Sequence, residues 1–168
     1  MNKTNIILLI TCSIIILVLL LLLLYRYYND KINELLKKIN KSEKQELNKL
    51  KEKQNILIRA INLIENKLDI KSKTFDDVRK LKIDSLTTFK DEEILNKCFN
   101  EILDIKEDNS KSKKLKTLNE IINDYNENEL HVISLRSYYN KYTMKYNCLI
   151  KKLPYNIIAK IKKYKLKL

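Results

Sequence analysis

The order of apolar and polar residues divides the chain into one unbroken apolar run and a longer part in which apolar residues recur at intervals. Between residues 6 and 24 only Thr11, Cys12 and Ser13 interrupt the apolar side chains, and no charge enters the run. As a helix the run would be about 28 Å long, close to the hydrocarbon thickness of a bilayer. The pattern therefore predicts a transmembrane helix over residues 6–25.

Basic residues on either side of the run predict which way it crosses the membrane. Lys3 precedes the run, whereas six lysines and arginines lie within the twenty residues that follow it. Because positively charged flanks stay in the cytoplasm, residues 1–5 are expected to be extracytoplasmic and the chain after residue 25 cytoplasmic. No small residue suited to signal-peptidase cleavage follows the leucines, so the helix is expected to remain as an anchor.

Beyond the run, apolar residues spaced by three or four positions predict a helix that continues from the membrane to Leu68. One side of this helix, its seam, is apolar except for a polar gap at Glu43. The predicted seam consists of Ile32, Leu36, Ile39, Glu43, Leu47, Leu50, Gln54, Leu57, Ile61, Ile64 and Leu68.

Two shorter helices are predicted in the middle of the chain. Thr74 and Asp91 are the expected N-caps of these helices, and residues 87–91 form the joint between them. A polar linker follows at residues 108–112. The two seams are Val78, Leu81, Ser85 and Leu86, and then Ile94, Leu95, Cys98, Phe99, Ile102 and Leu103.

The last helix has the most regular pattern, a strict alternation of three and four, and Pro154 is expected to end it. Two long and two short helices predict an all-α fold, in which the transmembrane helix continues into an antiparallel up-down four-helix bundle over residues 26–153. A fused middle segment would give three helices, but the joint at residues 87–91 favours four. The seam of the last helix is Leu115, Leu118, Ile122, Tyr125, Glu129, Val132, Arg136, Tyr139, Thr143, Tyr146, Ile150 and Leu153.

The composition argues against several classes of function. The chain has no glycine, so phosphate-binding loops, dinucleotide-binding turns and turn-rich β folds are not expected. Its three cysteines and one histidine lack the spacing of a zinc site, and His131 is expected to be an edge residue. No metal, cofactor, small-molecule substrate or catalytic set is predicted, so we do not expect an enzyme.

A more specific pattern occupies the end of the last helix and the residues after it. It comprises an arginine, two Tyr-Asn pairs seven residues apart, an isoleucine, and a stop with proline, asparagine and alanine. Its members are Arg136, Tyr139, Asn140, Tyr146, Asn147, Ile150, Pro154, Asn156 and Ala159. This signature resembles the C-terminal signature of the LemA family of bacterial single-pass membrane proteins. The resemblance implies a single-pass protein of the bacterial cell (inner) membrane with a four-helix bundle domain, and it assigns no enzyme activity.

The signature has a structural and a functional interpretation. Tyr139 and Tyr146 lie on one helical face, so they are expected to pack in the seam with the asparagines beside them. The alternative is that the Tyr-Asn pairs line a groove for a partner. Arg136 either extends its guanidinium to the surface or pairs with an acid of the first helix, such as Glu43 or Glu46.

Charge points to an anionic surface at the C-terminal end. Arg136 and nine lysines follow Glu129 without any acid, within a chain of net charge +13. Residues 154–168 are expected to form a basic amphipathic tail, capped by Asn156, that contacts anionic lipid headgroups; a solvated lysine tail is the alternative. The apolar side is Ile157, Ile158, Ile161, Tyr164 and Leu168, and the lysines are Lys160, Lys162, Lys163, Lys165 and Lys167.

These features favour a non-enzymatic, membrane-anchored helical protein whose cytoplasmic part contacts an unidentified protein partner or the inner leaflet. A membrane-tethered coiled-coil scaffold that acts by homo-oligomerisation is the alternative. A basic nucleic-acid-binding protein is a lesser alternative, because the aromatic residues fall on a seam and arginines are few.

Overall fold

The computed structural model describes residues 3–83, 89–109 and 115–167, and within these ranges all regular structure is helical. The helices are α1 (Lys3–Leu68), α2 (Lys73–Lys80), α3 (Phe89–Asp108), α4 (Lys116–Leu149) and α5 (Tyr155–Ile161). The predicted all-α class is therefore confirmed. α1 runs without a break from the apolar run to Leu68, as the sequence pattern predicts.

α1 is the one helix in the described part of the chain that is long and apolar enough to cross a membrane. The large apolar side chains from Ile6 to Leu24 are 39–67% exposed, so the protein itself does not cover them. At its other end α1 stops at Asp69, which has a φ of 54°. The Asp69 amide donates to the Glu65 carbonyl at 3.1 Å, which completes the last turn.

The chain forms two compact units. The terminal unit comprises residues 1–40 and 140–168, and the central unit comprises residues 41–139. α1 and α4 contribute to both units, α5 belongs to the terminal unit, and α2 and α3 belong to the central unit.

The central unit has an apolar core to which four helices contribute, and α2 packs against α3 within it. Burial in this core raises the pKa of the Cys98 thiol to about 12. Its fully buried members are Leu50, Ile61 and Ile64 of α1, Phe75 and Val78 of α2, Leu95 and Cys98 of α3, and Leu118 of α4.

The buried face of α1 differs from the predicted seam around the polar gap. Ser42 and Glu46 are buried there, whereas Glu43 and Leu47 are only half-buried. Farther along the helix Lys53 is 1% exposed. The prediction placed Glu43, Leu47 and Gln54 on the seam, whereas the buried side chains beside them are the polar Ser42, Glu46 and Lys53.

The short helices begin earlier than predicted. Ser72, not Thr74, is the N-cap of α2, because its hydroxyl accepts from the Thr74 amide at 3.2 Å. α3 begins at Phe89, so Asp91 lies in its first turn and does not cap it. α2 and α3 are separate helices, because residues 81–83 are not helical. Ser85 and Leu86, the joint residues 87–88 and the linker residues 110–112 lie outside the described residues.

The α4 pattern holds over most of its length. Leu118, Val132 and Tyr146 are buried as predicted. The helix ends at Leu149, however, and Leu153 is 74% exposed. The prediction carried the helix as far as Pro154, whereas a turn already precedes this residue.

The predicted amphipathic tail is wrong in its details. α5 begins directly after Pro154, so Asn156 lies inside the helix and does not cap it. The helix ends at Ile161, and Lys163 adopts a φ of 54°. The Tyr164 and Lys163 amides donate to the Ala159 and Lys160 carbonyls, the hydrogen bonds of a Schellman motif.

The early end of α5 changes which apolar residues share a side. Ile158 is 4% exposed, whereas Ile157 and Ile161 are 53% and 63% exposed. Leu168, the last residue of the predicted stripe, lies outside the described residues. Residues 162–167 leave the helix and are described below as the C-terminal segment.

Candidate membrane-proximal site

Two residues of the signature hold the C-terminal segment in the terminal unit. The Tyr146 hydroxyl, which is almost fully buried, donates to the Lys165 carbonyl at 3.0 Å. The Asn147 amide bonds Lys167 twice: Nδ2 donates to its carbonyl at 2.8 Å, and Oδ1 accepts from its backbone N–H at 3.0 Å. The Asn147 amide thus pairs with both backbone groups of Lys167, as the backbone of a neighbouring strand would. These two hydrogen bonds fix the path of the segment.

The same part of the chain contacts α1 just beyond the apolar run. The Tyr164 hydroxyl lies 2.8 Å from Oδ1 of Asn33 and 3.3 Å from Oδ1 of Asn29. The rings of Tyr155 and Tyr28 meet edge to face with centroids 4.9 Å apart. Tyr155 and Tyr164 therefore lie beside residues 28–33 of α1, within three turns of the end of the apolar run.

The lysines predicted to contact lipid lie on this segment and on α5. Lys160, Lys162, Lys163 and Lys165 are exposed, and Lys167 is half-buried. Large apolar side chains are exposed among them, since Leu166 is 54% accessible. Exposed apolar and basic side chains are thus interleaved in the part of the terminal unit that contacts α1, an arrangement suited to an interface between water and lipid.

The two Tyr-Asn pairs of the signature differ in their surroundings. Tyr139 is half-buried and Asn140 is exposed, whereas Tyr146 is buried and Asn147 bonds the C-terminal segment. Ile150 and Ala159, the other apolar members of the signature, are 7% and 6% exposed. Sequence spacing alone gave the two pairs equivalent roles.

Arg136 belongs to the central unit and pairs with two acids. Its Nε atom donates to Glu46 at 2.7 Å, and its Nη2 atom contacts Glu92. Burial lowers the pKa of Arg136, but the hydrogen bonds to Glu92 and Glu46 raise it by more. Of the two interpretations of Arg136, the structure therefore has the ion pair with the first helix, and Glu92 is a partner that the sequence did not indicate.

A second polar network in the central unit surrounds Lys53. Its ammonium group donates to Glu129 at 2.5 Å and to Asn96 at 3.0 Å, and it lies 5.0 Å from the centre of the Tyr125 ring. The Tyr125 hydroxyl also donates to Asn96, at 3.2 Å. Burial is the main cause that raises the pKa of Tyr125. Lys53 is a buried residue that the apolar spacing does not indicate. Glu129, an acid on the α4 seam, is the one signal in the sequence for it, because an acid on a seam requires a partner.

The Lys53 ammonium group is buried within the central unit. Both hydrogen-bonding partners of the ammonium group are side chains of the same unit, and its side chain is 2% exposed. Among the residues that the structure describes, no group of three or more histidine, cysteine or acidic side chains is placed to hold a metal ion.

No protein-family model matches the sequence, and comparisons with curated proteins and with solved structures give no match either. Nothing in these comparisons identifies membership of the LemA family. The resemblance therefore stays a prediction carried by the signature residues alone.

Proposed function

We propose that the chain is a non-enzymatic membrane anchor of the LemA type in a bacterial cell membrane. Residues 6–25 cross the bilayer, residues 26–153 form a four-helix bundle in the cytoplasm, and the lysine-rich C-terminal residues contact anionic lipid of the same leaflet. The apolar side chains of α1 support the span, since a soluble protein rarely leaves so large an apolar surface exposed. The core of the central unit, to which α1–α4 contribute, supports the bundle.

The contact between the C-terminal residues and α1 carries the proposal. Because Tyr164 bonds Asn29 and Asn33, the segment lies within three helical turns of the end of the apolar run. A lysine near an anionic bilayer surface contributes roughly 1 kcal/mol of attraction. The lysines at positions 160–167 can therefore hold the segment on the headgroups while α1 anchors the chain.

Hydrogen exchange of the full chain in lipid nanodiscs tests this contact. We expect the amides of residues 155–167 to exchange more slowly with anionic phosphatidylglycerol present than in phosphatidylcholine alone. A variant with all five lysines of positions 160–167 changed to Gln should lose the difference. Equal exchange in both lipids for the unaltered chain would refute the lipid contact.

Protease digestion tests the orientation. Protease added outside intact cells is expected to leave residues 26–168 whole, because they are proposed to be cytoplasmic. Their digestion under these conditions would reverse the proposed orientation.

Exposed apolar residues on α4 favour homo-oligomerisation as a second candidate function. Leu130 and Ile133 are 68% and 54% exposed, and their spacing of three places them on one side of the helix in the central unit. A scaffold would bury these side chains between copies of the chain. Light scattering of the full chain in detergent distinguishes the candidates, because the scaffold requires a mass of two or more chains and the anchor requires only one.

A further inference from the structure

The terminal unit contains a groove whose charged side chains are all basic. It is an open groove of ≈ 660 Å³, lined by residues of the turn after α4, of α5 and of the C-terminal segment. Four of the lining residues are lysines and none is acidic: Lys151, Lys160, Lys163 and Lys165. None of these lysines has a carboxylate within ion-pair distance among the described residues. The groove therefore has unneutralised positive charge.

The backbone around the groove is held in place. The Schellman hydrogen bonds fix Lys160 and Lys163 at the end of α5, and the hydrogen bond from Tyr146 fixes the backbone of Lys165. A positioned set of lysines loses less conformational freedom on binding an anion than a solvated lysine tail would. The groove thus differs from a diffuse basic surface.

The rest of the lining is largely apolar and includes Ile150, Ala159 and Leu166. Asn156 also lines the groove, and its Oδ1 atom is buried without a hydrogen-bond donor among the described residues. A free phosphate ion would use the lysines but not the apolar lining. An amphiphile with a phosphate, a hydroxyl-bearing headgroup and a hydrocarbon part would use all three kinds of lining. The phosphate would meet the lysines, the hydroxyl would meet Asn156, and the hydrocarbon would meet the apolar side chains.

We propose that this groove binds one molecule of an anionic phospholipid with a hydroxyl-bearing headgroup, such as phosphatidylglycerol. The ammonium groups of the lining lysines donate hydrogen bonds to the phosphodiester. The side-chain Oδ1 atom of Asn156 accepts a hydrogen bond from a headgroup hydroxyl, and Ile150 and Leu166 contact the start of the acyl chains. The inference rests on the proposed membrane contact of the C-terminal residues. It deepens that proposal by assigning a single bound lipid to a defined groove.

Two pairs of lysines make it possible to distinguish binding in the groove from general attraction to the membrane. Lys160 and Lys163 line the groove, whereas Lys162 and Lys167 belong to the same stretch of chain and do not line it. The variants K160Q/K163Q and K162Q/K167Q lose the same charge. General attraction predicts equal effects, and the groove predicts different ones.

Native mass spectrometry of the full chain released from nanodiscs measures the bound lipid. With phosphatidylglycerol as a minor component in phosphatidylcholine, we expect one phosphatidylglycerol retained per chain. K160Q/K163Q should weaken retention by about thirtyfold, from the typical attraction of two lysines for anionic lipid. K162Q/K167Q should weaken retention much less, because neither lysine lines the groove, and K160R/K163R, which keeps the charge, should retain the lipid.

Three outcomes would overturn the inference. The groove is refuted if both Gln pairs reduce retention equally, although the proposed lipid contact would stand. Failure of the unaltered chain to retain phosphatidylglycerol would also refute it. Displacement of the lipid by millimolar inorganic phosphate would mean a site for free anions. The proposed function has its own test: it would be refuted by hydrogen exchange of residues 155–167 that is the same with and without anionic lipid.

Discussion

The central and terminal units keep their shape by different interactions. The central unit has a continuous apolar core, and its buried Lys53 and Glu46 are paired with the half-buried Glu129 and Arg136. The terminal unit buries only a few side chains and holds its last residues through hydrogen bonds from side chains to backbone. Tyr146 and Asn147 are the main donors among these side chains.

This difference determines where each unit is vulnerable. A buried apolar side chain contributes about 1.5–3 kcal/mol, whereas a typical hydrogen bond contributes about 0.5–1.5 kcal/mol net. The central unit is therefore expected to open only when its core is disrupted. The C-terminal segment is expected to open locally, at a lower free-energy cost than opening of the core.

The largest expected effect comes from breaking the Lys53 pair of the central unit. Glu129→Ala leaves the buried ammonium group without its carboxylate, so we expect a loss of about 3 kcal/mol in the free energy of unfolding. Thermal and denaturant unfolding of the full chain in detergent, followed by circular dichroism, measures it. Glu127→Ala, an exposed acid two residues earlier on α4, is the matched control and should cost little.

The double variant K53M/E129L refines this result. Replacing both charges with apolar side chains of similar size is expected to recover most of the lost stability, because buried ion pairs are commonly no better than packed hydrocarbon. If E129A and E127A had the same effect, the Lys53 network would not be a stabilising element of the central unit.

The next largest effect should be confined to the terminal unit. Tyr146→Ala removes a side chain that is 1% exposed, and we expect a cost of about 3 kcal/mol by analogy with other large-to-small core changes. Hydrogen exchange should show faster opening of residues 140–167 and no change at residues 50–64. Tyr146→Phe keeps the packing and should cost only about 1 kcal/mol, from the hydrogen bond to Lys165. Unaltered stability of Tyr146→Ala would favour the interpretation in which Tyr146 lines a partner groove.

The sequence predicted the elements whose burial follows helical spacing. α4 is the clearest case, because Leu118, Val132 and Tyr146 lie where the alternation of three and four places them. The α1 seam was predicted correctly at Leu50 and Ile61 but not at Ser42 and Glu46. An acid or a serine gives no apolar signal, so the spacing did not place Ser42 or Glu46 on the buried face. Glu46 was predicted only as one of two possible partners of Arg136, which lies ninety residues away in the chain.

The end of α5 was missed for a different reason. A helix stop of the Schellman type is usually recognised by a glycine at the residue with positive φ, and this chain has none. Lys163 takes that conformation instead, so the lysine-rich sequence looked like continuous amphipathic helix. The two hydrogen bonds between Asn147 and Lys167 could not be predicted from the sequence pattern either, since they join a side chain to backbone atoms twenty residues away.

The two asparagines of the signature give a direct comparison within one helix. Asn147→Ala removes both hydrogen bonds to Lys167, and we expect about 1–2 kcal/mol less protection of the C-terminal segment. Asn140→Ala changes an exposed residue and should have almost no effect. Limited proteolysis within residues 162–167 of the full chain measures the opening. Equal cleavage of the two variants would mean that Asn147 does not hold the segment.

The smallest expected effect is a gain in stability at a helix end. Asp69 and Lys163 both adopt a φ of 54° without being glycine, which costs roughly 1 kcal/mol. Asp69→Gly should therefore raise the free energy of unfolding of the central unit by about 0.5–1 kcal/mol, because glycine takes this conformation without a clash. Lys163→Gly should increase hydrogen-exchange protection only in residues 155–167. Thermal unfolding of the full chain in detergent measures the first effect. A lower melting temperature for Asp69→Gly would show that the aspartate side chain itself stabilises the end of α1, and that the two units then tolerate positive φ for different reasons.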